Sequence, residues 1–103
     1  MLKVENNEIY LTRGDEATLT LEVESDGQPY DFSGETVIFS LKRCPDDPKP
    51  LIQKTFVNGS VTLVPGDTDD LPFGQYLYDV TIAEKNATII TPTVFTVGCE
   101  VHS

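Results

Sequence analysis

The sequence predicts an all-β domain of the sandwich class. Three observations carry that expectation. Apolar and polar residues alternate with period two in several short runs, as strands with one buried face require. Turn-forming residues recur between those runs. No stretch has the apolar spacing of an amphipathic helix, and "DTDDL" has room for at most one helical turn.

The elements follow in chain order. Residues 8–13 form the first expected strand. Residues 16–24 form the second, with Leu19, Leu21 and Val23 on one face and Thr18, Thr20, Glu22 and Glu24 on the other. "SDGQPYDFSG" is a turn region, with Asp26-Gly27, Pro29 and Ser33-Gly34. In residues 36–42, Val37, Phe39 and Leu41 face inward, and Thr36, Ser40 and Lys42 outward. "CPDDPKP" carries three prolines in seven residues, a stiff exposed loop that leaves Asp46 and Asp47 solvated. Residues 51–57 and 60–64 flank Asn58-Gly59, a two-residue hairpin signal because both positions of the favoured turn need positive φ. In residues 75–84, Tyr76, Tyr78, Val80 and Ile82 share a face opposite Leu77, Asp79 and Thr81. "EKNAT" turns the chain into residues 87–97, making a second hairpin. Pro92 cannot donate to a ladder, so that strand is an edge or carries a bulge. Seven short strands with frequent turns are the pattern of an immunoglobulin-like antiparallel β-sandwich. A single domain over residues 1–103 is expected, with Val101–Ser103 as a mobile tail.

Composition narrows the function. A hydrophobic content of 39% can fill a core, so disorder is not expected. No apolar run approaches the ~18 residues of a membrane helix. "MLKVENNEIY" has no signal-peptide core, so a cytosolic origin, or release by lysis, is expected. Seven basic against 17 acidic residues give a net charge of −10. Nucleic acid and anionic membranes would be repelled, so neither is expected as a partner. The acids read as solvated strand and loop positions.

Catalytic chemistry finds no foothold. His102 is the only histidine and lies in the tail. Cys44 has no recognisable base beside it, and no C-x-x-C spacing supports zinc. Cys44 and Cys99 are expected as free thiols, with a disulfide between them as the alternative. The glycines are scattered through turns and form no phosphate loop. A helix–loop–helix calcium site starting at Asp67 would need glycine and glutamate where Pro72 and Tyr78 stand. A looser calcium site using Asp67, Asp69 and Asp70, or a hydrolase using an acidic pair, are the remaining chemical alternatives. The main expectation is that Asp67 caps a turn. No catalytic, cofactor or metal residue is assigned. Asn58-Gly59-Ser60 and Asn86-Ala87-Thr88 match the glycosylation triplet by chance. Tyr10, Tyr30 and Phe32 are the aromatics a carbohydrate-binding adsorption module would use.

Two resemblances sharpen this reading. Gly74, Tyr76 and Tyr78, in "FGQYLYD", resemble the start of strand F in immunoglobulin domains. The resemblance implies a structural corner of Leu71, Gly74, Tyr76 and Tyr78. Tyr76 would hydrogen-bond to upstream backbone, and Tyr78 would stand where the second core cysteine usually does. A core tryptophan and a core cysteine pair are missing. The longer pattern runs from "IYLTRGDEATLTLEV" through "PGDTDDLPFGQYLYDV" to "FTVGCEV". It resembles the N-terminal domain of the baseplate upper protein family and related head-fibre-like proteins of phages and prophages. The shared elements are the Arg13-Gly14-Asp15 turn and the Asp67-to-Asp79 run. That resemblance implies a virion structural or assembly protein that docks to capsid, tail or baseplate proteins or to itself. It would reside in the virion or in the host cytoplasm during assembly. Arg13-Gly14-Asp15 reads as a turn feeding a strand rather than an integrin ligand.

Overall fold

The computed structural model describes residues 2–25, 27–29, 34–44, 46 and 49–99. Of the described residues, 58% lie in strands and 4% in helix, as expected of an all-β chain. The chain opens with β1 (Leu2–Glu5) and β2 (Glu8–Thr12), then β3 (Ala17–Thr20). A small hairpin follows, β4 (Glu24–Ser25) and β5 (Gln28–Pro29). Next come β6 (Val37–Lys42), β7 (Ile52–Thr55) and β8 (Ser60–Leu63). One turn of helix, α1 (Pro65–Thr68), leads to β9 (Gly74–Ile82) and β10 (Ala87–Gly98).

Six strands form one sheet, in the order β1-β2-β10-β9-β6-β7. β3 and β8 form a second sheet of two strands, and β4 and β5 pair only with each other. The buried faces of the two main sheets feed one core. Ile9, Leu11, Val37, Phe39, Leu41, Tyr76, Tyr78, Val80, Ile82, Phe95 and Val97 come from the large sheet; Ala17, Leu19, Val61 and Leu63 come from the small one. Strand β9 repeats buried and half-buried positions from Tyr76 to Ile82, so its alternation was correctly read. At the centre Phe39 stacks on Tyr78 with ring centroids 5.5 Å apart. Phe95 meets both rings edge-on at 6.2 Å. This cluster packs the inner faces of β6, β9 and β10, neighbours in the large sheet, into one block.

Several expectations need correction. The large sheet is not wholly antiparallel, because β10 runs parallel to β2 from Phe95 to Gly98. A parallel neighbour needs a long connection, and the rest of the fold supplies it. Strand β1 was not expected. It forms because Asn6 and Asn7 both take left-handed φ values, 51° and 68°, which close a two-residue hairpin onto β2. The second strand ends at Thr20, four residues earlier than expected, and Glu24 turns instead to Pro29. Asn58-Gly59 does make its turn, with φ of 52° and 80°, and Val57 and Ser60 bridge across it. Yet β7 and β8 then part: β7 pairs with β6 and β8 with β3. The turn is therefore a corner between sheets. Ser40 is buried rather than outward, with Gln53 of β7 donating to its hydroxyl. The helical turn starts at Pro65, just ahead of "DTDDL", since proline suits a first helical position.

The "EKNAT" hairpin joins β9 to β10 through Asn86 at φ 48°. The register shifts between Thr88 and Ile90 and again between Ile90 and Thr93, the second irregularity spanning Pro92. The tail Val101–Ser103, with His102, and Asp47 of the proline-rich loop lie outside the described residues. Truncating Phe39, which is fully buried, should cost about 3–5 kcal/mol in Phe39→Ala. Urea unfolding monitored by circular dichroism measures it, and a cost under about 1 kcal/mol would show that the aromatic cluster does not hold the sheets.

Candidate functional site

Two regions invite a functional reading: the corner running from α1 into β9, and a groove between the sheets. The corner comes first because it contains the residues singled out from sequence.

Asp67 sits in the single turn of α1. Its carboxylate accepts the Val64 N–H at 2.8 Å, and the Asp67 N–H donates back to the Val64 carbonyl at 2.9 Å. That is the expected turn cap. The same carboxylate meets the Lys54 ammonium at 2.5 Å. Lys54 also donates to the Thr62 carbonyl, so a β7 side chain ties together β8 and α1. Asp69 faces elsewhere, beside Gly14, and Asp70 is exposed. The three aspartates thus diverge. Among the described residues, no three His, Cys, Asp or Glu side chains gather in a metal-holding group.

The remaining corner residues interlock. The Leu71 N–H donates to the Thr68 carbonyl at 3.0 Å, and Leu71 packs half-buried on the core. Gly74 opens β9 with φ 146°, a region that favours glycine. The Tyr76 hydroxyl donates to the Pro72 carbonyl at 2.6 Å, four residues upstream. The Arg43 guanidinium lies 5.6 Å from the Tyr76 ring. The Tyr78 hydroxyl donates to the Asn7 carbonyl in the β1–β2 turn. Burial pushes the Tyr78 phenol above its ordinary pKa, which keeps the proton that this bond needs.

The Arg13-Gly14-Asp15 turn packs directly on this corner. The Gly14 N–H donates to the hydroxyl of Thr68, which is fully buried, at 2.8 Å. Gly14 has φ 84°, and a Cβ there would stand 3.0 Å from an Asp69 carboxylate oxygen. Only glycine meets both conditions without strain. The Arg13 guanidinium lies 4.0 Å over the Phe73 ring and donates to the Leu71 carbonyl at 3.4 Å. Sequence reading found the two motifs but not their contact. Thr68, Lys54 and Phe73 were missed, and only the Leu-Pro-Phe-Gly run hinted at Phe73.

A second clamp closes the opposite end. Glu84 accepts the Thr36 N–H with one carboxylate oxygen and the Thr36 hydroxyl with the other, both at 2.7 Å. The Ala83 N–H donates to the Thr36 carbonyl at 2.9 Å. The Thr36 hydroxyl, then backbone N–H groups, hold the Glu84 carboxyl below its ordinary range.

The groove is a consequence of unequal sheets. A cavity of about 650 Å³ lies between β1 on one side and β3 with residues 21–24 on the other. Leu2 and Val4 pair across the ladder with buried Leu11 and Ile9, yet are themselves 36% and 56% exposed. They lie on the inner face of β1 with nothing described above them. Among the described residues, the charged ones lining the groove are Glu22 and Glu24.

Tyr10 is half-buried. Its hydroxyl donates to the Cys99 carbonyl at 3.3 Å, and its ring fills the space a side chain on Gly98 would need. Tyr30 and Phe32 lie outside the described residues. Cys44 and Cys99 are both exposed and unbonded to each other. Comparison with protein-family models, with curated proteins and with solved structures returned no match.

Two predictions test this geometry. Tyr76→Phe should cost on the order of 1 kcal/mol or more, since it leaves the Pro72 carbonyl without its donor. An unchanged melting curve would show that the bond contributes nothing. Glu84 has a lowered pKa when folded, so its contribution is complete above the unfolded glutamate value and is lost as pH falls through the folded one. Glu84→Gln should therefore flatten the acid side of the stability–pH curve. Denaturation midpoints measured at falling pH would show it, and parallel curves would refute the clamp.

Proposed function

We propose that this chain is a non-enzymatic immunoglobulin-like sandwich module: a bacteriophage or prophage virion structural or assembly protein that acts by docking to other structural proteins. The fold reading is supported by strand order. β6, β9 and β10 stand together as strands C, F and G do, and β3 with β8 stand as B and E do. The Tyr76 bond to Pro72 has the form of a tyrosine corner. The aromatic cluster takes the place of the usual disulfide and tryptophan.

The single observation that carries the docking reading is the uncovered inner face of β1. Leu2 and Val4 point into a groove that an isolated module has no reason to leave apolar. Of the corner acids, Asp67 is engaged by Lys54 and Val64. The virion part of the reading rests on the resemblance to the baseplate upper protein family. Its two elements, Arg13-Gly14-Asp15 and the Asp67-to-Asp79 run, are in contact, so their joint occurrence has a structural reason. The carbohydrate alternative loses support at Tyr10, whose ring is taken up by Gly98 and Cys99.

Quantitative mass spectrometry of purified particles tests the assignment. The chain should be present at a fixed ratio to the major structural proteins. Its absence from particles and from assembly intermediates alike would overturn the reading.

A further inference from the structure

We propose that the groove receives an extended segment of another protein, added as a strand along the free edge of β3, and that this segment alternates apolar residues with lysine or arginine. The inference rests on the docking reading above and names the chemistry of its partner.

The backbone supplies the first argument. β8 occupies one edge of β3, with Ala17 opposite Leu63, Leu19 opposite Val61, and Thr20 opposite Ser60. The Leu21 N–H donates to the Gly59 carbonyl at 2.8 Å, which continues the ladder one step. In an antiparallel pair, alternate residues direct both N–H and C=O at the same neighbour. Ala17, Leu19 and Leu21 therefore serve β8, and Thr18, Thr20 and Glu22 aim their backbone groups the other way. No described strand stands on that side.

Natural sheets blunt such edges with lysine, proline, a bulge or a covering loop. β3 reads Ala-Thr-Leu-Thr, and the adjoining Leu-Glu-Val contains neither lysine nor proline. Its pairing with β8 is free of register shifts. The edge is a template for strand addition, the recognition mode in which main-chain bonds give affinity and alternate side chains give specificity.

The side chains supply the second argument. An added strand beside β3 would point every other residue into the groove, toward Leu2, Val4, Leu19 and Leu21. Those positions call for valine, leucine or isoleucine. The intervening residues would meet the groove's charged lining, Glu22 and Glu24. Opposite charges on neighbouring strands attract and like charges repel. A second copy of this chain, with its net charge of −10, would bring more acid to an acidic rim. The fitting occupant is therefore a basic, alternating segment from a different chain.

The test uses synthetic peptides of about nine residues, enough to pass the groove wall from Thr18 to Glu24. One alternates valine with lysine. A second replaces lysine by glutamate. A third keeps the valine–lysine composition but groups like residues together. Binding is followed by amide NMR and by hydrogen exchange on the full chain. The valine–lysine peptide should bind saturably and more weakly in high salt. It should protect the amides of Thr18, Thr20 and Glu22, which should exchange faster than those of Leu19 and Leu21 in the free protein. The other two peptides should bind on the order of tenfold more weakly or less tightly still. A Glu22→Lys, Glu24→Lys double variant, checked for folding by circular dichroism, should invert the preference toward the glutamate peptide. Val4→Ser should weaken both without changing which is preferred.

Equal binding of all three peptides would overturn the proposal. So would binding without protection at Thr18, Thr20 and Glu22, failure of every peptide to bind, or self-association that protects those amides in the absence of peptide. A chain found in particles that binds no peptide overturns this occupant alone. Peptide binding by a chain absent from particles and assembly intermediates overturns the virion assignment alone.

Discussion

Tyr78 is the side chain on which the rest of the arrangement depends. Its ring stacks on Phe39 of β6 and meets Phe95 of β10, while its own backbone belongs to β9 between them. Its hydroxyl reaches out of the cluster to the Asn7 carbonyl, in the turn between β1 and β2. One residue thus holds three central strands and the hairpin at the sheet's edge. The apolar ring contributes burial; the polar tip satisfies a carbonyl near the core boundary. Without a core disulfide, position and packing must come from such double-purpose contacts.

The corner obeys the same logic with polar groups. Thr68 is fully buried, and its hydroxyl accepts from Gly14. A buried hydroxyl without a partner would be costly, so the Gly14 turn and α1 are each other's requirement. Lys54 adds a tie from β7, and Arg13 adds one from the end of β2 to Phe73 and Leu71. Two distant parts of the chain, the Arg13-Gly14 turn and β7, therefore converge on a stretch that looks, as sequence, like an acidic patch. Asp67 serves architecture there, and the apolar groove lies apart from it.

Much of this was legible residue by residue, because period-two alternation in β9 and β6 reports which face is buried. Asp67 was legible as a cap, since short acidic side chains accept backbone N–H bonds at turns. Partner choice was not legible. Asn58-Gly59 specifies a tight turn, but whether the strands beyond it stay paired depends on β3, about forty residues upstream by its ladder to β8. The parallel contact of β2 with β10 is likewise set by distant strands. β1 escaped notice because Leu2 and Val4 give only two apolar beats and lie on an uncovered face. Lys54 carries no local signal for Asp67, and Thr36 none for Glu84. Each pair is made by the fold, not by sequence neighbourhood.

The pairing of β2 with β10 also governs the order in which the structure can assemble. These strands come from the two ends of the described chain, yet they are adjacent in the large sheet. During synthesis β1 and β2 emerge early and can close only their own hairpin, which is marginal in water. They must wait for β10, the last described strand, before they have a sheet to join. Such non-local pairing carries a loop-closure cost before any contact repays it. A nascent chain therefore holds an unpaired, apolar hairpin exposed until β10 has been made. The strongly acidic character of the chain, which repels other copies of itself, is a safeguard suited to that interval.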